Sequence, residues 1–134
     1  MSRPIELRIP NERPYHGVVR LVVGGLAARH NLSYEKLEDL QLALVTVLES
    51  DDYTTGPEVV VELEVSADAI ALCVGPLHGD ALQEELGSKD GDALGLGRLL
   101  GTLVEDAQVE RREDGDWLRL AKLVRGVRAA GANA

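Results

Sequence analysis

Residues 94–106 read Leu94-Gly95-Leu96-Gly97-Arg98-Leu99-Leu100-Gly101-Thr102-Leu103-Val104-Glu105-Asp106. Leu94 to Val104 has the spacing of an apolar helix opened by Gly95-Leu96-Gly97, and an acidic pair follows it. Two glycines at the mouth of a helix let backbone N–H groups converge on an anion, and the helix dipole adds attraction. The same two glycines also serve a tight loop-to-helix turn with no ligand. Spacing alone leaves both readings standing.

Outward toward the C-terminus, Ala107 to Arg112, then Asp114-Gly115, then Asp116 to Leu123 read as a closing β-hairpin. Residues 125–134 are Gly, Ala and Arg with Val127 and Asn133, a composition expected to fray. Outward toward the N-terminus, Gly75 to Asp92 is polar, glycine-rich and weakly periodic, a loop with one short helical turn around Asp80 to Leu86. Before it, Val59, Val61, Leu63 and Val65 alternate with Glu58, Glu62 and Glu64, and Ser66-Ala67-Asp68 turns the chain into Ile70, Leu72 and Val74. This is a hairpin with one wet, Glu-rich face.

Ser33 is a fitting N-cap for a helix whose core stripe is Leu37, Leu40, Leu44, Val47 and Leu48, ending near Glu49 to Asp52. An earlier helix starts at Pro14, carries Val18, Val19, Leu21, Val22, Val23, Leu26 and Ala27, and stops near Arg29-His30-Asn31. Gly24 and Gly25 weaken it by about 1 kcal/mol each relative to Ala, so packing must hold it. Ile5, Leu7 and Ile9 against Glu6 and Arg8 form a first strand closed by Pro10. These elements sum to an α/β two-layer sandwich (α+β), one domain over residues 5–124, with a mixed, mostly antiparallel sheet and helices on one face.

Composition narrows the function. A chain of 134 residues with 45% apolar and 28% charged side chains affords one modest core. Lys plus Arg number 14 against 23 Asp plus Glu, and the formal charge of -9 repels phosphate backbones and anionic lipid. Neither a nucleic acid nor a membrane is an expected partner. No window approaches about 18 uncharged apolar residues, and the first ten carry Arg3, Glu6 and Arg8, so a soluble cytoplasmic protein is expected. The single Cys73 excludes an internal disulfide and a cysteine-based zinc site; it is expected to pack as an inert buried thiol against a helix. His16, His30 and His78 share no ligand spacing and suit surface or cap positions. Arg111, Arg112, Arg119, Lys122, Arg125 and Arg128 concentrate positive charge late in the chain, either to dock an acidic partner or to balance the Glu-rich strand.

The order strand, helix, helix, hairpin, glycine-rich loop, Gly-x-Gly helix, hairpin resembles the GHKL (histidine-kinase-like, Bergerat-fold) ATPase superfamily. At this size it is similar to the anti-sigma-factor serine kinases of bacterial partner-switching systems. Residues 94–106 resemble that family's G2 box, and residues 107–123 its terminal hairpin. The resemblance implies that Gly95, Leu96, Gly97, Arg98 and Thr102, with Gly79 from the preceding loop, would hold the phosphates of a nucleotide. It also implies a catalytic helix with Glu-x-x-x-Asn, a general base followed by a magnesium ligand. Aligning residues 38–44 with that helix lands the base on Thr46 and the metal ligand on Ser50. Thr46 cannot accept a proton near neutral pH, and Ser50 offers a poorer oxygen to a hard cation. Glu49 lies about 100° round the helix from the metal position.

The family's G1 box, Asp-x-Gly-x-Gly, supplies a carboxylate to the adenine amino group. Here the corresponding run is Gly75-Pro76-Leu77-His78-Gly79, with only Gly79 kept. The expectation is therefore a regulator without catalysis, binding nucleotide weakly or not at all, with no bound metal. Its implied partners are a sigma factor or an anti-sigma antagonist, and a second copy in a homodimer. The rival expectation is an active ATP-dependent serine/threonine kinase that uses magnesium and displaced acids such as Glu49, Asp51 or Asp80. A third is an orphan domain whose pocket holds another anion or nothing.

Overall fold

Alternating side chains sort the strands into a sheet with one greasy face and one ionic face. The computed structural model describes residues 4–49, 56–77 and 96–124. In chain order these hold β1 (Ile5–Pro10), α1 (Arg13–Arg29), α2 (Tyr34–Leu48), β2 (Glu58–Val65), β3 (Ala69–Leu77), α3 (Leu96–Leu103), β4 (Asp106–Arg112) and β5 (Gly115–Leu123). Among the described residues the five strands lie in the order β1-β2-β3-β5-β4, and every neighbouring pair is antiparallel.

The inner face presents Ile9, Val59, Val61, Leu63, Ile70, Leu72, Val74, Leu118 and Leu120 to the helices. α1 contributes Val19, Val23 and Ala27, and α2 contributes Leu40, Ala43, Leu44, Val47 and Leu48. Removing a fully buried leucine from such a cluster costs about 2–5 kcal/mol. Ser33 caps α2 as its chemistry demands, its Oγ accepting from the Lys36 N–H at 3.2 Å. Lys36 Nζ in turn donates to the Val124 carbonyl at 2.9 Å, tying the start of α2 to the end of β5.

Three expectations are corrected. Gly75, Pro76 and Leu77 belong to β3 and not to a loop: Gly75 pairs with Val60, and Leu77 pairs with Asp116 beyond a bulge that follows Val74. The bulge turns Leu77 inward, where it joins the core. His16 is neither a surface nor a cap residue; at 5% exposure it continues the inner stripe of Val19, Val23 and Ala27 on α1. Cys73 faces away from the helices, half-buried among ionic side chains of the outer face, because its even neighbours Leu72 and Val74 take the helix side. His30 does sit at a cap, ending α1 with its N–H donated to the Ala27 carbonyl. The proposed tail at 125–134, the helical turn at 80–86, and Gly79, Gly95, Ser50 and His78 lie outside the described residues.

Candidate functional site

The nucleotide cradle implied by the sequence needs three parts: the end of β3, the second half of α2 and the N-terminus of α3. α3 packs directly against α2, so the last two are neighbours. α3 starts at Leu96, immediately after Gly95 and with Gly97 in its first turn, which is where an anion-binding helix mouth would begin. Arg98 and Thr102 are both exposed on it. The Thr102 hydroxyl donates to the Leu99 carbonyl at 2.7 Å, a bond within its own helix.

α2 offers different chemistry. Thr46 is half-buried, and its hydroxyl donates to the Leu42 carbonyl at 2.7 Å. Moving the family motif back by three residues, close to one helical turn, lands it on Ala43 and Val47, both fully buried in the core. Neither register sets a carboxylate and a carboxamide on one face of α2. The β3 end departs as well. A Cβ at Gly75 would collide with the indole of Trp117 on the outer face, away from the helices, and the position aligned with the adenine-reading carboxylate is this glycine, which has no side chain to offer. The residues present therefore do not fit the magnesium and adenine ends of the family's nucleotide site. Among the described residues no group of three or more His, Cys, Asp or Glu side chains could hold a metal ion.

Trp117 belongs to a cluster that sequence reasoning missed. Its Nε1 donates to Asp114 Oδ1 at 2.9 Å, and the Arg112 guanidinium lies 4.1 Å from its ring centroid. Arg112 makes a two-pronged pair with Glu62, at 2.9 and 3.0 Å, and donates to Glu110 at 3.0 Å. One arginine on β4 thus reaches across β5 and β3 to β2. These carboxylates hold Arg112 well above its ordinary range, and burial followed by Glu110 pushes the Cys73 thiol up to about 11. A groove of about 480 Å³ runs along this outer face, lined in part by Arg8, Glu58, Val60, Pro76 and Trp117. Arg112 balances the Glu-rich strand, the second of the two roles foreseen for the late positive charge.

Lys122 also departs from a docking surface. It is 5% exposed on the inner side, and its Nζ donates to the Leu103 carbonyl at 2.7 Å while lying 3.4 Å from Asp39 and 3.7 Å from Glu105. A cation there caps the last turn of α3 and joins it to α2. The inward parity of Leu118, Leu120 and residue 122 was the available signal.

His16 Nε2 lies 3.4 Å from Asn11 Oδ1, and its Nδ1 is buried without a hydrogen-bond partner. Burial lowers its pKa, against the opposing pull of Glu49. No described helix is long and apolar enough to cross a membrane.

No protein-family model matches the chain. Comparison with individual proteins does find relatives. The serine-protein kinase RsbW of Bacillus velezensis is 32% identical, covering 92% of this chain and 88% of that protein. The serine-protein kinase RsbW of Halalkalibacterium halodurans is 30% identical over 82% of this chain and 76% of its own length. Among solved structures, the RsbU and RsbW domains of Rv1364c from Mycobacterium tuberculosis superpose with a TM-score of 0.64 at 16% identity. That match covers 96% of this chain but 34% of the larger one, and it speaks for the fold alone. With a sandwich of the same fold and relatives aligned along nearly its whole length, the chain belongs to the RsbW serine-protein kinase family, within the GHKL anti-sigma-factor kinases that its sequence resembles.

Proposed function

We propose that this chain is a noncatalytic regulator that acts by protein–protein contact, binding a sigma factor or an anti-sigma antagonist in a cytoplasmic partner-switching pathway, without ATP or magnesium as obligatory cofactors. The observation that carries this reading is the makeup of α2. Thr46 spends its hydroxyl on its own helix, and Ala43 and Val47 are core residues, so no general base stands at the family's catalytic positions in either register. Gly75 adds support, since the position aligned with the adenine-reading carboxylate carries no side chain. Loss of a buried polar partner for the base costs nucleotide affinity as well as selectivity. Partner binding rests on surface and survives such losses.

The test combines the purified chain with magnesium-ATP and with candidate sigma factors and antagonist domains. A stable complex with one of them and no transfer of phosphate to serine is expected. Serine phosphorylation, or no binding to either class, would overturn the reading. The second reading, an active serine/threonine kinase, draws on α3 beginning at the Gly95-Leu96-Gly97 run. It requires displaced acids such as Glu49, Asp51 or Asp80 to supply the base.

A further inference from the structure

On the side of the sheet away from α2 and α3, a groove crosses from β1 over β2 to the end of β3 and the β4–β5 hairpin. It holds about 480 Å³ over an apolar floor of Val60, Pro76 and Trp117. Val60 and Trp117 take the strand positions that turn away from the core, yet they are only 5% and 4% exposed. The Arg112 guanidinium covers the Trp117 ring.

The two walls share one arrangement. On β1 and β2, Arg8 lies 3.5 Å from Glu6 and 3.6 Å from Glu58. Across the floor, Arg112 is gripped by Glu62 at 2.9 and 3.0 Å and by Glu110 at 3.0 Å. Each guanidinium is outnumbered by two carboxylates. Among the described lining residues four carboxylates, those of Glu6, Glu58, Glu62 and Asp114, face the two arginines. Glu6 also stands directly opposite Glu62 in the β1–β2 register, and like charges so placed repel. An anion entering the groove would meet this surplus, whereas a cation relieves it.

Apolar floor and acidic walls together suit a long basic side chain, whose hydrocarbon stem wants cover and whose head wants carboxylates. We infer that the groove docks a basic segment of a partner protein, with the stem of an arginine or lysine on Val60 and Pro76 and its charged head at Glu6 and Glu58. Those two carboxylates hold Arg8 loosely, and all three side chains are more than half exposed, so their pairing yields to a better-placed cation. The tight cluster around Arg112 stays in place as the opposite wall. This surface goes beyond the proposed regulator's loss of catalysis, and because it lies across the sheet from α2 and α3 it stands whether or not nucleotide binds.

Trp117 is the only tryptophan in the chain and reports from the floor of the groove. The probes for the full chain are a capped heptapeptide of alternating arginine and leucine, the same peptide with glutamate for arginine, and spermidine. The arginine peptide is expected to change Trp117 fluorescence saturably and to shift backbone NMR signals of β1, β2 and the β4–β5 hairpin, and the glutamate peptide to do neither. Glu6→Lys and Glu58→Lys are each expected to weaken the arginine peptide about tenfold or more. Glu35→Lys makes the same change of net charge at an exposed position on α2 and is expected to weaken it by no more than about twofold. Unchanged NMR signals from the core in each variant exclude misfolding. No response to the arginine peptide, equal binding of the glutamate peptide, spermidine binding as tightly as the peptide, or a loss at Glu35→Lys as large as that at Glu58→Lys would overturn the inference. Since no arm contains nucleotide or a phosphate acceptor, each result is read separately from the noncatalytic reading.

Discussion

α2 and α3 lie side by side, yet they carry very different loads. α2 buries Leu40, Ala43, Leu44, Val47 and Leu48, while the described side chains of α3 bury Leu100 and Leu103. The family resemblance divides the same way. The Gly-x-Gly run at the mouth of α3 stays readable, whereas on α2 the motif positions hold a helix-bonded threonine or core aliphatics. A helix at the centre of the core gives a polar group little tolerance, because one left without its ligand is a buried polar group without a partner. A helix at the margin can keep its glycines at little expense.

The largest effect should separate the two loads. Leu44→Ala is expected near the top, and Leu103→Ala near the bottom, of the range of about 2–5 kcal/mol for leucine truncation, both read from denaturant unfolding. Equal losses would break the comparison.

Next comes the joint between the helices. Lys122→Met removes the cation from the Leu103 carbonyl and should lower stability by about 2 kcal/mol. Asp39→Asn should cost under about 1 kcal/mol, since that carboxylate is 42% exposed and screened by water.

A smaller, pH-dependent effect belongs to the core beneath α1. Burial holds the pKa of His16 below 6.5, so the unfolded chain takes up its proton first as pH falls. The His16 contribution is whole above about pH 6.5 and is lost progressively below it. Thermal melts should show this slope, and His16→Leu should flatten it relative to the parent chain. The smallest effects are expected at Thr46→Ala and Thr102→Ala, each within about 0.5 kcal/mol, because both hydroxyls bond only their own helices. A change in partner binding on Thr46→Ala would give that residue a role beyond its helix.

Much of the fold was legible from period alone: strands at 5–10, 58–65 and 115–123 follow their alternation, and Ser33 caps the helix it promised. β3 outran its expected end because Gly75-Pro76 is breaker chemistry and the bulge after Val74 shifts Leu77 out of alternation. The stripe of His16 with Val19, Val23 and Ala27 was readable at helical spacing. The outer-face cluster was not. Arg112 and Glu62 are 50 positions apart in sequence, and no local pattern announces that Trp117 fills the space above Gly75. The motif substitutions at Thr46 and Gly75 were visible in the sequence, but what stands in their place needed three dimensions.

The central proposal is that this family member retains the glycine run at the mouth of α3 and lacks the groups that would grip magnesium and adenine. Titration calorimetry of the chain with magnesium-ATP tests it most directly. The account predicts no measurable heat of binding; micromolar binding that disappears on Gly97→Ala would contradict it.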